Sequence, residues 1–228
     1  MILALETSGY GGSVALLDGD KPLAELPLDS RRRSAASLAP AIAQVLAAAG
    51  HRAADVRLVA VTIGPGSFTS LRVGVTTAKA FAYAVGAQVV AVNTLEAIAA
   101  HWQWSTGGVA GAPTTIAAAI DAQRGDVYAA RFQAAGERLE GLAPAAICAA
   151  GDWLASLAPG WLATGPALET LAPRLPCGIS TAPRESWLPT AATVGRLAAA
   201  RHAAGQRDDL WTLAPLYLRR SAAEEKRP

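Results

Sequence analysis

The chain has 228 residues, 52% of them hydrophobic and 17% charged, with a formal net charge of +2. That length and apolar content suit one large or two small domains. The charge is too small to indicate a nucleic-acid-binding protein by itself, and Arg31, Arg32 and Arg33 form a local exception that reads as a solvated loop. Cys148 and Cys177 lack metal-like spacing and read as structural thiols of a reducing compartment. Met1 to Gly9 has no basic region and too short an apolar run for a signal peptide. Ser34 to Gly50, interrupted by Pro and Gln, fails as a membrane span. A cytoplasmic protein is expected, with no membrane partner.

Ile2 to Leu5 reads as a buried strand, followed by a flexible turn from Glu6 to Gly12. Ser13 to Leu17 is a second strand, and Asp18-Gly19 signals a hairpin. Pro22 to Leu28 gives a third strand, placed toward an edge by its two prolines. Ala36 to Ala49 is a helix stopped by Gly50. A strand from Arg57 to Ile63, a helix from Thr69 to Val85 ended by Gly86, a strand from Gln88 to Val92 and a helix from Leu95 to Trp104 complete the first half. Ser105 to Pro113 reads as a linker.

The pattern then restarts. Thr114 to Ile120 is an apolar strand, Arg124 to Asp126 a turn, Val127 to Gln133 a second strand, and a third lies within Arg138 to Cys148. A helix at Asp152 to Leu157, a strand at Trp161 to Thr164, a helix at Ala167 to Ala172 and a last helix at Ala191 to Ala204 follow. Ser221 to Pro228 is a charged, frayed tail. Three meandering strands followed by helix, strand and helix, twice over, is the layout of tandem ribonuclease-H-like units. The fold class is therefore α/β and actin-like. The expected lobes are 1–105 and 106–228, the second smaller, with the last helix and tail as candidates to pack back on the first.

Few segments carry recognisable chemistry. Gly64 to Thr69, between a strand and a helix, is either an anion cradle or a tight turn with Ser67 or Thr69 as N-cap. No Gly-Lys-Ser/Thr follows, so it is not a P-loop. The candidates for nucleotide contact are Thr7, Ser8, Gly64, Gly66 and Ser67. A small actin-like nucleotide-binding ATPase or kinase is the alternative function, but a late Gly-Gly adenosine loop is missing. His51, His101 and His202 are far apart and form no metal motif. The six Trp residues read as core plugs.

The most informative feature is a lack of charge. From Ala35 to Ala49 no residue is charged, and only Arg72 and Lys79 are charged between Thr69 and Val85. A helix with one solvent face ordinarily shows charge there. Two such helices are either deeply buried or half of an interface. The candidate partner-facing residues are Leu38, Ile42 and Val45 on the first helix. On the second they are Leu71, Gly74, Val75, Ala78 and Ala82, whose small residues four apart allow close helix approach.

Ile2 to Ser8 with Ser13 to Leu16, Gly64 to Gly74 and Asp121 to Tyr128 together resemble the TsaB (YeaZ) family, and Pro215 to Arg219 is similar to its C-terminal motif. The resemblance spans nearly the whole chain. It implies an actin-like fold in two lobes and a scaffold role in making threonylcarbamoyladenosine in tRNA, next to the anticodon. It implies pairing with a TsaD-like catalytic paralogue through helices of the first lobe, with a TsaE-like ATPase joining them. A homodimer is expected when the chain is alone, because apolar surface left exposed would otherwise favour aggregation, and tRNA contact is expected through the complex. No cofactor is required by this chain, with a nucleotide at the complex interface left open. The catalytic relative carries a His-x-x-x-His metal pair, and the matching positions here are Thr94 and Ile98, neither of which binds a divalent metal as imidazole does. No catalytic or metal-ligating residue is therefore expected. Two departures from the family are Glu6, where Asp is usual, and Ser70, where Gly is frequent.

Overall fold

The structure, a computed structural model, describes residues 1–9, 11–29, 34–107, 114–136 and 138–219, with the side chains of 34–36 excepted. The Arg31 to Arg33 run, the centre of the expected linker and the C-terminal tail lie outside the described residues. The chain divides into two compact units, Met1–Ala97 with Pro189–Pro215, and Ile98–Leu188 with Leu216–Pro228.

The first unit is built on a five-stranded sheet. Its strands are β1 (Ile2–Glu6), β2 (Ser13–Asp18), β3 (Lys21–Pro27), β4 (Leu58–Gly64) and β5 (Gln88–Asn93), in the order β3-β2-β1-β4-β5. The antiparallel β1–β2–β3 meander is closed at Gly19, whose φ of 59° suits a glycine. β4 and β5 run parallel to β1, which requires a crossover helix before each strand. Strand side chains alternate between faces. Leu3, Leu5, Val14, Leu16, Val59 and Val61 join one buried cluster with residues of α1 (Ser34–Ala48) and α2 (Phe68–Val85). On the other face, α6 (Ala191–Ala203) comes close at Gly195, where a Cβ would lie 2.4 Å from Leu17 Cδ1 and 3.2 Å from Ala4 Cβ.

The start of α6 is fixed by three side chains. Thr190 Oγ1 accepts from the Thr193 N–H, Ser13 Oγ from Ala191 and Glu25 Oε1 from Ala192. Past α6 the chain crosses the free side of β5. The Asp208 N–H donates to Val89 O, and Asp208 Oδ2 accepts from the Ala91 N–H. Lys79 Nζ then donates to the carbonyls of Trp211 and Leu213.

The second unit repeats the topology strand for strand. β6 (Thr114–Asp121), β7 (Asp126–Ala135), β8 (Arg138–Ala149), β9 (Leu162–Thr164) and β10 (Ser180–Thr181) lie in the order β10-β9-β6-β7-β8. Trp153, Leu154 and Leu157, from α4 (Ala150–Ala155) and the turn after it, pack with Leu168 and Leu171 of α5 (Leu168–Leu171) against Ala117, Ala119 and Ala163. Gln103 of α3 (Thr94–Thr106) donates to the carbonyls of Gly136 and Arg138.

The boundary between units falls inside α3, after Ala97, rather than past residue 105, and the first unit also takes 189–215. Several elements differ from expectation. α3 runs to Thr106, two residues beyond Trp104, because nothing before Gly107 (φ 73°) stops it. α4 starts at Ala150, two residues early, with its first N–H bonded to Gly125 O. α5 is a single turn continued as a 3-10 turn at Ala172–Arg174, where Pro173 cannot extend an α-helix. β10 and the 3-10 turn at Ala53–Asp55 had no sequence signal. Trp102 and Trp153 are core plugs, but Trp211 is 72% exposed. Among the described residues no helix is long and apolar enough to cross a membrane.

Candidate partner interface and the two hairpin turns

All eight expected partner-facing residues belong to the core of the first unit. Leu38, Ile42 and Val45 are 6% exposed or less; Leu71, Val75, Ala78 and Ala82 are 3% or less; Gly74 is buried with them. This corrects the expectation for their side chains. The larger apolar residues of each helix face the sheet, because burial gains scale with apolar area and Leu, Ile and Val gain more than Ala. The faces left outward are therefore the complementary ones. On α1 these are Ala39, Pro40, Ala43, Gln44, Ala47 and Ala48. On α2 they are Phe68, Thr69, Arg72, Thr76, Ala80, Tyr83 and Ala84. The outward face of α1 has no charge at all, which is unusual for a helix facing water.

Two aromatic groups enrich this surface. The Arg72 guanidinium lies over the Phe68 ring, 3.9 Å from its centre. Tyr83 meets Trp211 edge-to-face at 5.6 Å between ring centres. Trp211 is held in place from behind, by Lys79 at its carbonyl and by Asp209 Oδ1 at its N–H. The N–H groups of Thr212 and Trp211 keep the Asp209 carboxyl below the usual carboxylate range. No sequence signal separated Trp211 from the other tryptophans.

The candidates for nucleotide contact converge on one place, the turn after β1. Thr7 and Ser8 are buried, and Gly64 is buried beneath the start of α2. Glu6 is fully buried, and its Oε1 accepts from both the Ser8 N–H (2.7 Å) and the Ser8 hydroxyl (2.5 Å). The Thr7 N–H donates to Thr62 Oγ1 at 3.1 Å. The Ser67 N–H, at the N-cap of α2, donates to Ser8 O at 2.7 Å. The N–H groups of Thr7, Ser8 and Ser67 are thus already bonded within the protein. Ser67 Oγ does not cap α2 but donates to Ser70 Oγ. Burial pushes the Glu6 carboxyl up to about 7, the Ser8 donors pull against this, and the nearby Glu25 carboxylate adds to it.

Close contacts lock this turn. A Cβ on Gly66 would lie 2.3 Å from Ser8 O, and one on Gly74 would lie 1.9 Å from Thr7 Oγ1. The backbone of α2 therefore rests directly on Thr7. Gly12 has a φ of 144°, and a Cβ there would meet Glu6 O at 2.5 Å.

The corresponding turn of the second unit, Asp121 to Asp126, has a different character. Gln123 and Arg124 adopt φ of 63° and 57° without being glycines. Asp121 Oδ1 accepts from the Gln123 N–H, and Arg219 pairs with Asp126 while donating to Ala122 O. The turn borders a cleft of about 520 Å³, whose lining includes Asp121, Arg124, Thr170 and Arg174. Among the described residues no group of three or more His, Cys, Asp or Glu side chains is arranged to hold a metal ion.

A family model described as TsaD, tRNA N6-adenosine threonylcarbamoyltransferase, matches residues 26–209. The chain belongs to that family. Within it, the chain is one of the TsaB (YeaZ) proteins. It is 33% identical over 156 residues to the tRNA threonylcarbamoyladenosine biosynthesis protein TsaB of Bacillus subtilis strain 168, covering 68% of this chain and 65% of that protein. The Escherichia coli K12 protein of the same name is 33% identical over 132 residues, covering 58% of this chain and 54% of the relative. The chain thus spans between about half and two thirds of the length of these curated relatives. A solved structure, YeaZ from Pseudomonas aeruginosa, superposes with a TM-score of 0.79 at 26% identity, covering 95% of this chain and 99% of that one. The TsaB assignment carries the actin-like fold with it, and the repeated strand order of the two sheets is that fold's internal duplication.

Proposed function

We propose that this chain is a non-catalytic partner subunit for threonylcarbamoylation of the tRNA adenosine next to the anticodon. It pairs with a TsaD-like catalytic paralogue through the outward faces of α1 and α2, is joined by a TsaE-like ATPase, meets tRNA through the complex, and works in the cytoplasm. Alone, it forms a homodimer through the same faces. The observation that carries this reading is the uncharged outward face of α1, from Ala39 to Ala48, together with the edge-to-face Tyr83 and Trp211 pair on the same unit. The names of the curated relatives supply the process. The non-catalytic character rests on residue chemistry. Thr94 and Ile98, the positions matched to the metal-binding pair of the catalytic relative, are 1% and 0% exposed and are not imidazoles.

Substitutions on the two sides of each helix test the reading. Ala43→Glu and Ala80→Glu place a charge on the outward faces and should abolish pairing with the catalytic partner while thermal unfolding stays unchanged. Burying one unpaired charge costs several kcal/mol, against roughly 8 kcal/mol for a whole micromolar complex. Ile42→Glu and Ala78→Glu bury the same charge in the core and should unfold the chain instead. Normal pairing by both outward variants would remove the helices from the interface. Reconstituted tRNA modification at full rate without this protein would remove the function.

A further inference from the structure

We infer that the Glu6–Ser8 turn is a proton-controlled latch on the start of α2, and that through it proton uptake and release regulate the pairing face; this last step rests on the function proposed above. The connection is short and fully traced. Glu6 Oε1 holds both donors of Ser8, and Ser8 O holds the N–H of Ser67, the residue from which α2 starts. The Leu71 N–H in turn donates to Ser67 O at 2.9 Å. Phe68 and Arg72 of the outward face lie within that first stretch of helix. Gly66 and Gly74 leave no slack, since Ser8 and Thr7 already fill the space a Cβ would need. The closed turn therefore supports the start of α2 at atomic contact, and α2 loses that support when the turn moves away.

Surroundings decide which charge state closes the latch. Against Glu6, β2 presents Ser13 in direct register, β3 presents Glu25 and β4 presents Thr62. α2 begins with the hydroxyls of Ser67 and Ser70. α6 begins with Ala191 and Ala192, whose N–H groups go to Ser13 and Glu25. Glu25 is the one charged group acting on Glu6 among these, and its sign is the same. Among the described residues no cation is paired with Glu6. The two Ser8 donors favour the carboxylate, but burial without a cation disfavours it more. The neutral acid is thus the form that fits the closed turn. Ionisation favours a conformation in which the turn swings out, the carboxylate is hydrated, and Ser8 O leaves Ser67. This is local opening with a proton as its ligand.

Backbone hydrogen exchange of the full chain tests the latch directly, without any partner. After correction for intrinsic rates, protection at Ser67 and Leu71 should fall on the order of tenfold between about pH 6 and about pH 8.5, while the centre of α2 changes less. Glu6→Gln, which keeps the shape and loses the charge, should hold protection constant over that range. Glu25→Gln should move the midpoint of the fall to lower pH. An unchanged wild-type profile, or an equal fall in Glu6→Gln, overturns the latch. Pairing with the catalytic subunit, measured over the same range, should weaken as the latch opens. An opening latch with pH-independent pairing overturns the regulatory role. Absence of pairing at every pH with the latch behaving as described overturns the proposed function and leaves the latch standing.

Discussion

Between β1 and β2 the chain buries Glu6, Thr7 and Ser8, with Thr7 against the backbone of α2 at Gly74 and Ser8 against Gly66. Between β6 and β7, the corresponding strands of the second unit, Asp121 and residues 123–125 stay exposed beside a cleft. The strand order around the two turns is the same, so topology does not set the difference. The residues do. Gly66 and Gly74 permit α2 to lie on its turn at atomic contact. The second unit has only the single-turn α5 in the equivalent crossover, and its turn is held from outside by Arg219. One duplicated framework thus has a turn stabilised by burial and a turn stabilised by a charged clamp.

Substitutions at the two turns should separate these modes, the largest effect first. Gly74→Val forces side-chain atoms into Thr7, and overpacking of this severity should cost about 3 kcal/mol or more. Its measure is thermal unfolding. A variant as stable as the parent would show that α2 does not rest on Thr7.

Next is the pH dependence of stability. Glu6 binds its proton more tightly in the folded chain, its pKa rising from 4.5 to about 7. The folded state therefore holds more protons in that window, and stability falls as pH rises from about 4.5 through about 7. The full difference is on the order of 3 kcal/mol, visible as a lower denaturation midpoint at pH 8 than at pH 5. Glu6→Gln should remove most of it, and an unaltered slope in that variant would assign the effect elsewhere.

Arg219→Ala comes third. It leaves the half-buried Asp126 carboxylate and Ala122 O without their donor, a loss of about 1–2 kcal/mol. Proteolysis should then begin at Gln123 or Arg124 and leave the first turn intact. Cleavage in the first turn instead would reverse the contrast. Smallest is Gln123→Gly, which relieves a left-handed backbone position and should stabilise the second unit by about 1 kcal/mol.

Much of this architecture could be read from residue patterns. The Asp18-Gly19 hairpin, the stops at Gly50 and Gly86 with φ of 70° and 68°, and the long apolar strands all announce themselves. Elements of two to four residues in the second unit, such as α5 and β10, are too short to show a period. The outward side of α1 and α2 was harder to read. Both sides of α1 are apolar, so charge offers no contrast. What separates them is size, with Leu38, Ile42, Val45 and Leu46 inward and Ala39, Ala43, Ala47 and Ala48 outward. The packing of α2 on the first turn could not be read at all, since it depends on Gly66 and Gly74 meeting Ser8 and Thr7, nearly sixty and seventy positions earlier.

The chain segment after α6 has a consequence for self-association. A sheet edge with unpaired N–H and C=O groups is a template for strand addition and fibril growth. By exchanging bonds with Val89 and Ala91, Asp208 occupies the β5 edge of the first sheet. The opposite edge is β3, whose Lys21, Pro22, Glu25 and Pro27 deny an incoming strand both a flat apolar face and two of its donors. With one border covered and the other blunted, the sheet of the first unit offers little template for edge-to-edge growth.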